Sequence, residues 1–197
     1  MNQFETSKRM DENSDRVTQV ELKAWITGAV AGNREDQKRI YEAIASKSYG
    51  VIRKIVGSSN ADDVMQDFVI QFLSKLKQFR FESSLETWAH RMAVNQSLQY
   101  LRKTNREAER LRKVVGVTPM KADGTTQLQS DDAEMLHLAM EKVTGEQRAI
   151  LHMKEVEGRS YGEIASVLGI PEGTVGSRLN KARNDLRMSL LCLGWEA

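Results

Sequence analysis

The stretch SYGEIASVLGIPEGTVGSRLNKAR, residues 160–183, decides the fold. Its first half places Ile164, Val167 and Leu168 on one apolar face, with small Ala165 where a crossing helix can approach. Gly169 suits a left-handed turn position and Pro171 suits the start of a second helix. In that second helix Val175, Leu179, Ala182 and Leu186 step by four, three and four residues, the spacing of a buried stripe. Thr174, Ser177, Arg178, Lys181 and Asn184 or Asp185 are then left for the outer side. Two short helices around a glycine turn, the second carrying hydroxyls and long cations, make a helix-turn-helix that enters a DNA major groove. An ordinary helical hairpin with a solvated outer face would show the same charges. The coincidence of turn glycine, small crossing residue and basic second helix favours DNA. One residue resists this reading: Gly176 leaves no side chain near the start of the second helix, where a base contact is expected.

Working outward, only two prolines interrupt the 197 residues and period-two alternation is scarce, so the fold class is all-α. Helical spacing predicts elements near 19–31, 34–56, 61–77 and 84–107, then 132–142, 145–156, 160–168 and 172–190. Between the two sets, VVGVTPMKADGTTQLQSD has glycine, proline and threonine and no helical stripe. The expected organisation is a polar tail (1–18), a helical domain (19–113), a flexible linker (114–131) and a helix-turn-helix domain (132–193), each domain with its own core. No further domain is expected beyond Leu193.

Composition narrows the function classes. No apolar run approaches the ~18 residues of a membrane span, and the start MNQFETSKRMDENSDR has no signal-peptide apolar segment. The single cysteine, Cys192, excludes an internal disulfide framework and a thiolate zinc cluster. A cytoplasmic protein is expected, with no membrane insertion. Net charge is only +2, but it is unevenly spread. From Trp88 to Lys113 seven basic residues face two acidic ones, a local excess suited to a polyanion.

The first domain carries two further patterns. In ADDVMQDFVIQFL, Val64, Phe68 and Phe72 form an apolar line, while Asp63, Gln66, Asp67 and Ile70 form an outward one. Asp62 and Asp63 are expected in the helix's first turn, where the dipole favours them. An acidic line with an exposed isoleucine suggests a protein partner, with dipole complementarity and solvation as an equal alternative. In LETWAHRMAVNQSLQYLRK and the residues after it, Arg91, Asn95, Gln99, Arg102 and Arg106 step by four, four, three and four. That face runs for about 23 Å at 1.5 Å per residue, and its amides can pair with bases while its arginines hold phosphate. The preceding turn, Arg80, Phe81, Glu82, Ser83 and Ser84, could cup an extruded base. Trp88 reads as core, and Phe81 stays open between core and stacking platform.

Catalytic signatures are weak. Glu134 and His137 have the Glu-x-x-His spacing of di-iron bundles, which need two such motifs, so His137 is expected to be a helix-packing residue. His90 and His152 lack partners at metal spacing, and no phosphate loop or nucleophile elbow occurs. The expectation is a non-enzyme without metal or cofactor. A free-standing regulator that binds duplex DNA by itself remains the rival reading.

ADDVMQDFVIQFL, LETWAHRMAVNQSLQYLRK and SYGEIASVLGIPEGTVGSRLNKARNDLR, in this order around a linker, resemble the extracytoplasmic-function sigma factors of bacterial RNA polymerase. The resemblance runs from about Val20 to Leu190. It implies a sigma-70 region 2-like domain for the promoter −10 element and a region 4-like domain for the −35 element. It implies that Asp63, Gln66 and Asp67 dock on the clamp helices of the β′ subunit of core RNA polymerase, which with the β subunit and promoter DNA would be the partners. Asn95, with the loop Arg80 to Ser84, would receive a flipped −10 base, and Arg91, Gln99, Arg102 and Arg106 extend that surface. Thr174, Ser177, Arg178, Lys181 and Arg183 would hold the −35 element. An anti-sigma factor is a further expected partner. The chain departs from the family at Gly176, commonly lysine or arginine, and in its more acidic RFESSLETW loop.

Overall fold

The computed structural model describes residues 18–115 and 132–195, so almost all of the expected tail and linker lies outside the described residues. The N-terminal helices are α1 (Gln19–Val30), α2 (Arg34–Val56), α3 (Ser58–Lys75) with a 3-10 turn (Leu76–Gln78), and α4 (Leu85–Val115). The C-terminal helices are α5 (Asp132–Lys142), α6 (Gly145–Leu151) with a π turn (His152–Val156), α7 (Tyr161–Leu168) and α8 (Glu172–Cys192). Every regular element among the described residues is helical.

Local chemistry sets most boundaries. Thr18 with Glu21, Thr144 with Gln147, and Ser160 with Glu163 form reciprocal capping boxes that open α1, α6 and α7. Asn33 accepts from the amides of Glu35 and Asp36 at the start of α2. Gly169, at φ 65°, closes α7 in the left-handed conformation the turn requires.

Two helix boundaries differ from those the spacing predicts. Helix α3 starts at Ser58 behind Gly57, so Asp62 and Asp63 fall in its second turn, and Asp62 instead accepts from the Tyr49 hydroxyl at 3.0 Å. Helix α4 continues to Val115, past the expected end near 107, because Asn105 to Lys113 is rich in Arg, Glu, Leu and Ala and free of Gly and Pro.

Phe68, Phe72, Ile40 and Ile52 anchor the core of the first half, and Ile150, Met153, Ile164 and Leu179 that of the second. Each fully buried side chain of this size contributes about 2–3 kcal/mol. The two sets are not separate cores, as the sequence suggested, but one continuous apolar cluster. Helix α6 packs on α2 and α4, and α7 on α4. Gly145 permits the close approach: a Cβ there would lie 1.9 Å from Leu101 Cδ1. Arg148 pins the same junction, donating from Nε to the Ile55 carbonyl (2.8 Å) and from Nη1 to the carbonyls of Met140 (3.1 Å) and Val143 (3.0 Å). It thereby joins the end of α2 to the end of α5 and the residue beyond it, satisfying carbonyls left open at helix ends.

Candidate nucleic-acid interface

Helix α4 carries its amide and guanidinium face as the spacing indicates. Asn95, Gln99, Arg102 and Arg106 are exposed and Arg91 is half-buried. The face clears the core because Ala89, Ala93, Val94 and Ser97, on other sides of the helix, take the buried positions. Arg106 Nε donates to the Arg102 carbonyl at 2.9 Å, which holds its side chain along the helix.

At the N-terminal end of α4 the Arg80–Ser84 turn is built on aromatic stacking. Trp88 lies against Phe72 (5.0 Å between ring centroids) and Phe79 (5.4 Å), so it is core packing. Phe81 tilts onto Phe79 at 4.8 Å and remains half-buried. Its φ of 60° is in the left-handed region, a costly conformation for a bulky residue. Ser84 caps α4, accepting from the Thr87 amide at 3.1 Å, while Arg80 and Glu82 stand exposed at the rim.

In the helix-turn-helix, Val175, Leu179 and Ala182 are fully buried and Leu186 is half-buried, which leaves Ser177, Arg178 and Lys181 exposed and Thr174 at the edge. Arg183 is separated from this group. It lies nine residues beyond Thr174, about two and a half turns, and so emerges on the opposite side of α8. There its Nε and Nη2 donate to Glu155 Oε1 at 3.0 and 2.7 Å. Gly176 is not demanded by packing, because an added Cβ would meet only the Tyr161 ring, at an ordinary 3.6 Å.

On α3 Asp63, Gln66 and Asp67 are exposed, with Ile70 70% exposed beside them, while Val64, Phe68 and Phe72 are buried. His137, expected to pack between helices, is instead exposed, with Nε2 3.7 Å from Glu141 Oε1 one turn on. The apolar neighbours that suggested packing lie elsewhere around the helix. Among the described residues no three His, Cys, Asp or Glu side chains are arranged to hold a metal ion, and no helix is long and apolar enough to cross a membrane.

Two carboxylates escaped the sequence reading. Glu146 Oε1 accepts from Arg102 Nη2 at 2.7 Å, and its Oε2 lies 3.5 Å from Arg178 Nη1, so one side chain touches both basic faces. Glu157 pairs with His90 of α4 (2.7 Å), His152 (3.2 Å) and Arg159 (2.6 Å). Burial pushes the Glu157 carboxyl up, but hydrogen bonds from His152, His90 and Arg159 outweigh it and hold the group well below the usual carboxylate range. Both arginine partners of Glu146, and His90 for Glu157, are tens of residues away in sequence, and no local pattern announces them.

Comparison with known proteins follows the same division. Residues 40–107 match the family model for sigma-70 region 2, and residues 133–186 match that for sigma-70 region 4. The extracytoplasmic-function sigma factor SigM of Mycobacterium tuberculosis is 33% identical over 126 residues, covering 64% of this chain and 62% of SigM. The match thus spans less than two thirds of that relative. The sigma-E factor of Escherichia coli is 28% identical over 147 residues, covering 70% of this chain and 77% of the relative. Among solved structures, the sigma factor RpoE of Bartonella quintana, crystallised with the anti-sigma factor NepR, superposes with a TM-score of 0.59 at 25% identity. That superposition covers 79% of this chain and 97% of RpoE. CnrH, solved with the cytosolic domain of CnrY, shares the fold at a TM-score of 0.51 and 20% identity, over 85% of this chain and 95% of CnrH. With both regions matched in order over a shared fold, the chain belongs to the sigma-70 family, in its extracytoplasmic-function group.

Proposed function

We propose that this chain is a promoter-specificity subunit that binds core RNA polymerase, holds the −35 duplex and captures melted −10 bases. The supporting observation is the exposed Asn95–Gln99–Arg102–Arg106 face of α4 standing beside the strained Phe81 turn, on the same chain as a helix-turn-helix. Amides read base edges, guanidiniums hold phosphate, and a preformed turn lowers the cost of extruding a base. Thr174, Ser177, Arg178 and Lys181 hold the −35 element, and Asp63, Gln66 and Asp67 form the acidic docking line for the polymerase β′ clamp. Residues 19–113 and 132–193 act as the two functional domains. The chain works in the cytoplasm, without catalysis of its own and without a cofactor. An anti-sigma factor restrains it, a reading supported by the similar RpoE of Bartonella quintana, which was crystallised with the anti-sigma factor NepR.

Size-exclusion chromatography of the purified chain with bacterial core polymerase tests the proposal. A stoichiometric complex at physiological salt is expected. A chain that runs alone but shifts duplex DNA by itself would instead be a free-standing regulator.

A further inference from the structure

The flank of α8 that Gly176 leaves bare is bordered by a residue of the preceding helix. A Cβ added at Gly176 would have the Tyr161 ring as its neighbour, with Cε2, the carbon next to the one that carries the hydroxyl, at 3.6 Å. A Cβ added at Gly173, one turn earlier, would meet nothing within 4 Å. Two glycines thus leave this side of the first turns of α8 as open backbone, and the aromatic ring at the first position of α7 stands at its edge. Tyr161 is 39% exposed, and among the described residues its hydroxyl has no hydrogen-bond partner. A cation steadies the ring: Lys154 Nζ lies 5.2 Å from its centroid and is itself fixed by donating to the Arg159 carbonyl at 3.2 Å. Phenylalanine would pack in the same way, so the hydroxyl is the part of this side chain that the fold does not use.

We infer that Tyr161 supplies the DNA contact that residue 176 cannot, its hydroxyl donating to a backbone phosphate of the −35 duplex. This inference rests on the helix-turn-helix of the promoter-subunit reading above. Gly176 lies about 100° round α8 from the exposed Ser177. With Ser177 toward the groove floor, that flank faces a groove wall, where the phosphates of one strand run and where the first helix of such a motif crosses the backbone. A long basic side chain at residue 176 would reach the wall from α8 itself. Here the open backbone lets the strand come close, and the stiff phenol ring reaches it from α7. The contact differs in kind from the one it replaces. A hydroxyl is a neutral donor, so it positions the duplex without releasing a counterion. The Lys154 ammonium against the ring adds positive potential at the same place.

The test uses the full chain. A duplex is selected from a random-sequence library by the chain in complex with core polymerase, or by the chain alone where no complex forms. Affinity for that duplex across a salt series, and interference by ethylation of each phosphate, are then measured for the parent chain and for Tyr161→Phe. Both measurements are repeated with Gly176→Arg in the background. Tyr161→Phe keeps the ring, so its thermal melt should match the parent. It is expected to weaken binding by about tenfold, the loss of one hydrogen bond to a charged acceptor, and to leave the salt slope unchanged. Ethylation of one phosphate should weaken binding of the parent and not of Tyr161→Phe. With Gly176→Arg, whose side chain covers the ring, Tyr161→Phe should cost much less, because the two residues serve one strand. Unchanged affinity of Tyr161→Phe overturns the inference, and so does an interference pattern identical in parent and variant. An equal loss in both backgrounds overturns it as well, by showing that Tyr161 does not stand in for residue 176. Failure to bind polymerase sinks the promoter-subunit reading, while the same measurements on the duplex selected by the chain alone still decide the role of Tyr161.

Discussion

Gly176 offers the sharpest test of how the second helix is used. It is the fifth residue of α8, in the helix interior, and its φ is not in the positive range that favours glycine. An added Cβ meets one ring carbon at 3.6 Å, so Gly176→Ala introduces no clash. The substitution removes the backbone entropy cost of a mid-helix glycine, about 1 kcal/mol relative to alanine. For a chain of this size that raises Tm by about 2–4 °C. Gly176→Arg should keep most of that gain and restore the basic side chain common in the family. If this flank of α8 lies along a phosphate strand, one extra contact steepens the dependence of log affinity on log salt by about 0.9. Urea and thermal melts of the two variants give the stability, and fluorescence anisotropy on duplex DNA across a salt series gives the slope. A destabilised Gly176→Ala would mean that the backbone or its packing demands glycine. An unchanged slope in a stable Gly176→Arg would mean that this flank does not face phosphate.

Asn95→Ala should impair promoter opening about 10–100-fold, the value of one good base contact, while leaving polymerase binding intact by co-elution. Asp63→Arg with Asp67→Arg should do the reverse, and equal loss of both activities in both variants would refute the division of labour. Glu157→Gln should destabilise the chain most at neutral pH. The folded-state value of Glu157 is depressed below its ordinary 4.5, so its contribution is complete above that value and fades as pH falls below it. Urea melts from pH 7 to 3 should therefore show wild type and variant converging on the acid side, and a constant gap would count against it. Arg148→Leu leaves the carbonyls of Ile55, Met140 and Val143 without their donor and should cost on the order of 2–3 kcal/mol in the same melts. A change below the error of the melt would show that water replaces the guanidinium at no cost.

The sequence by itself determined what spacing encodes. The α8 stripe of Val175, Leu179 and Ala182, the α3 line of Val64, Phe68 and Phe72, and the outward α4 face all follow from 3.6 residues per turn acting within one element. Even Arg183 and the early start of α3 were legible in principle, the first from helical phase and the second from Gly57 ahead of Ser58. Helix existence and facing are local properties, set by side chains within a few turns of one another. Tertiary structure alone decided which outward groups meet. Glu146 joins Arg102 to Arg178, Glu157 joins His90 to Arg159, and Arg148 reaches Ile55. Those partners are brought together by docking α6 and α7 onto α2 and α4, through an apolar seam whose residues look, in sequence, like two separate cores. A periodic pattern states that a face is apolar, but only packing states which other apolar face will cover it.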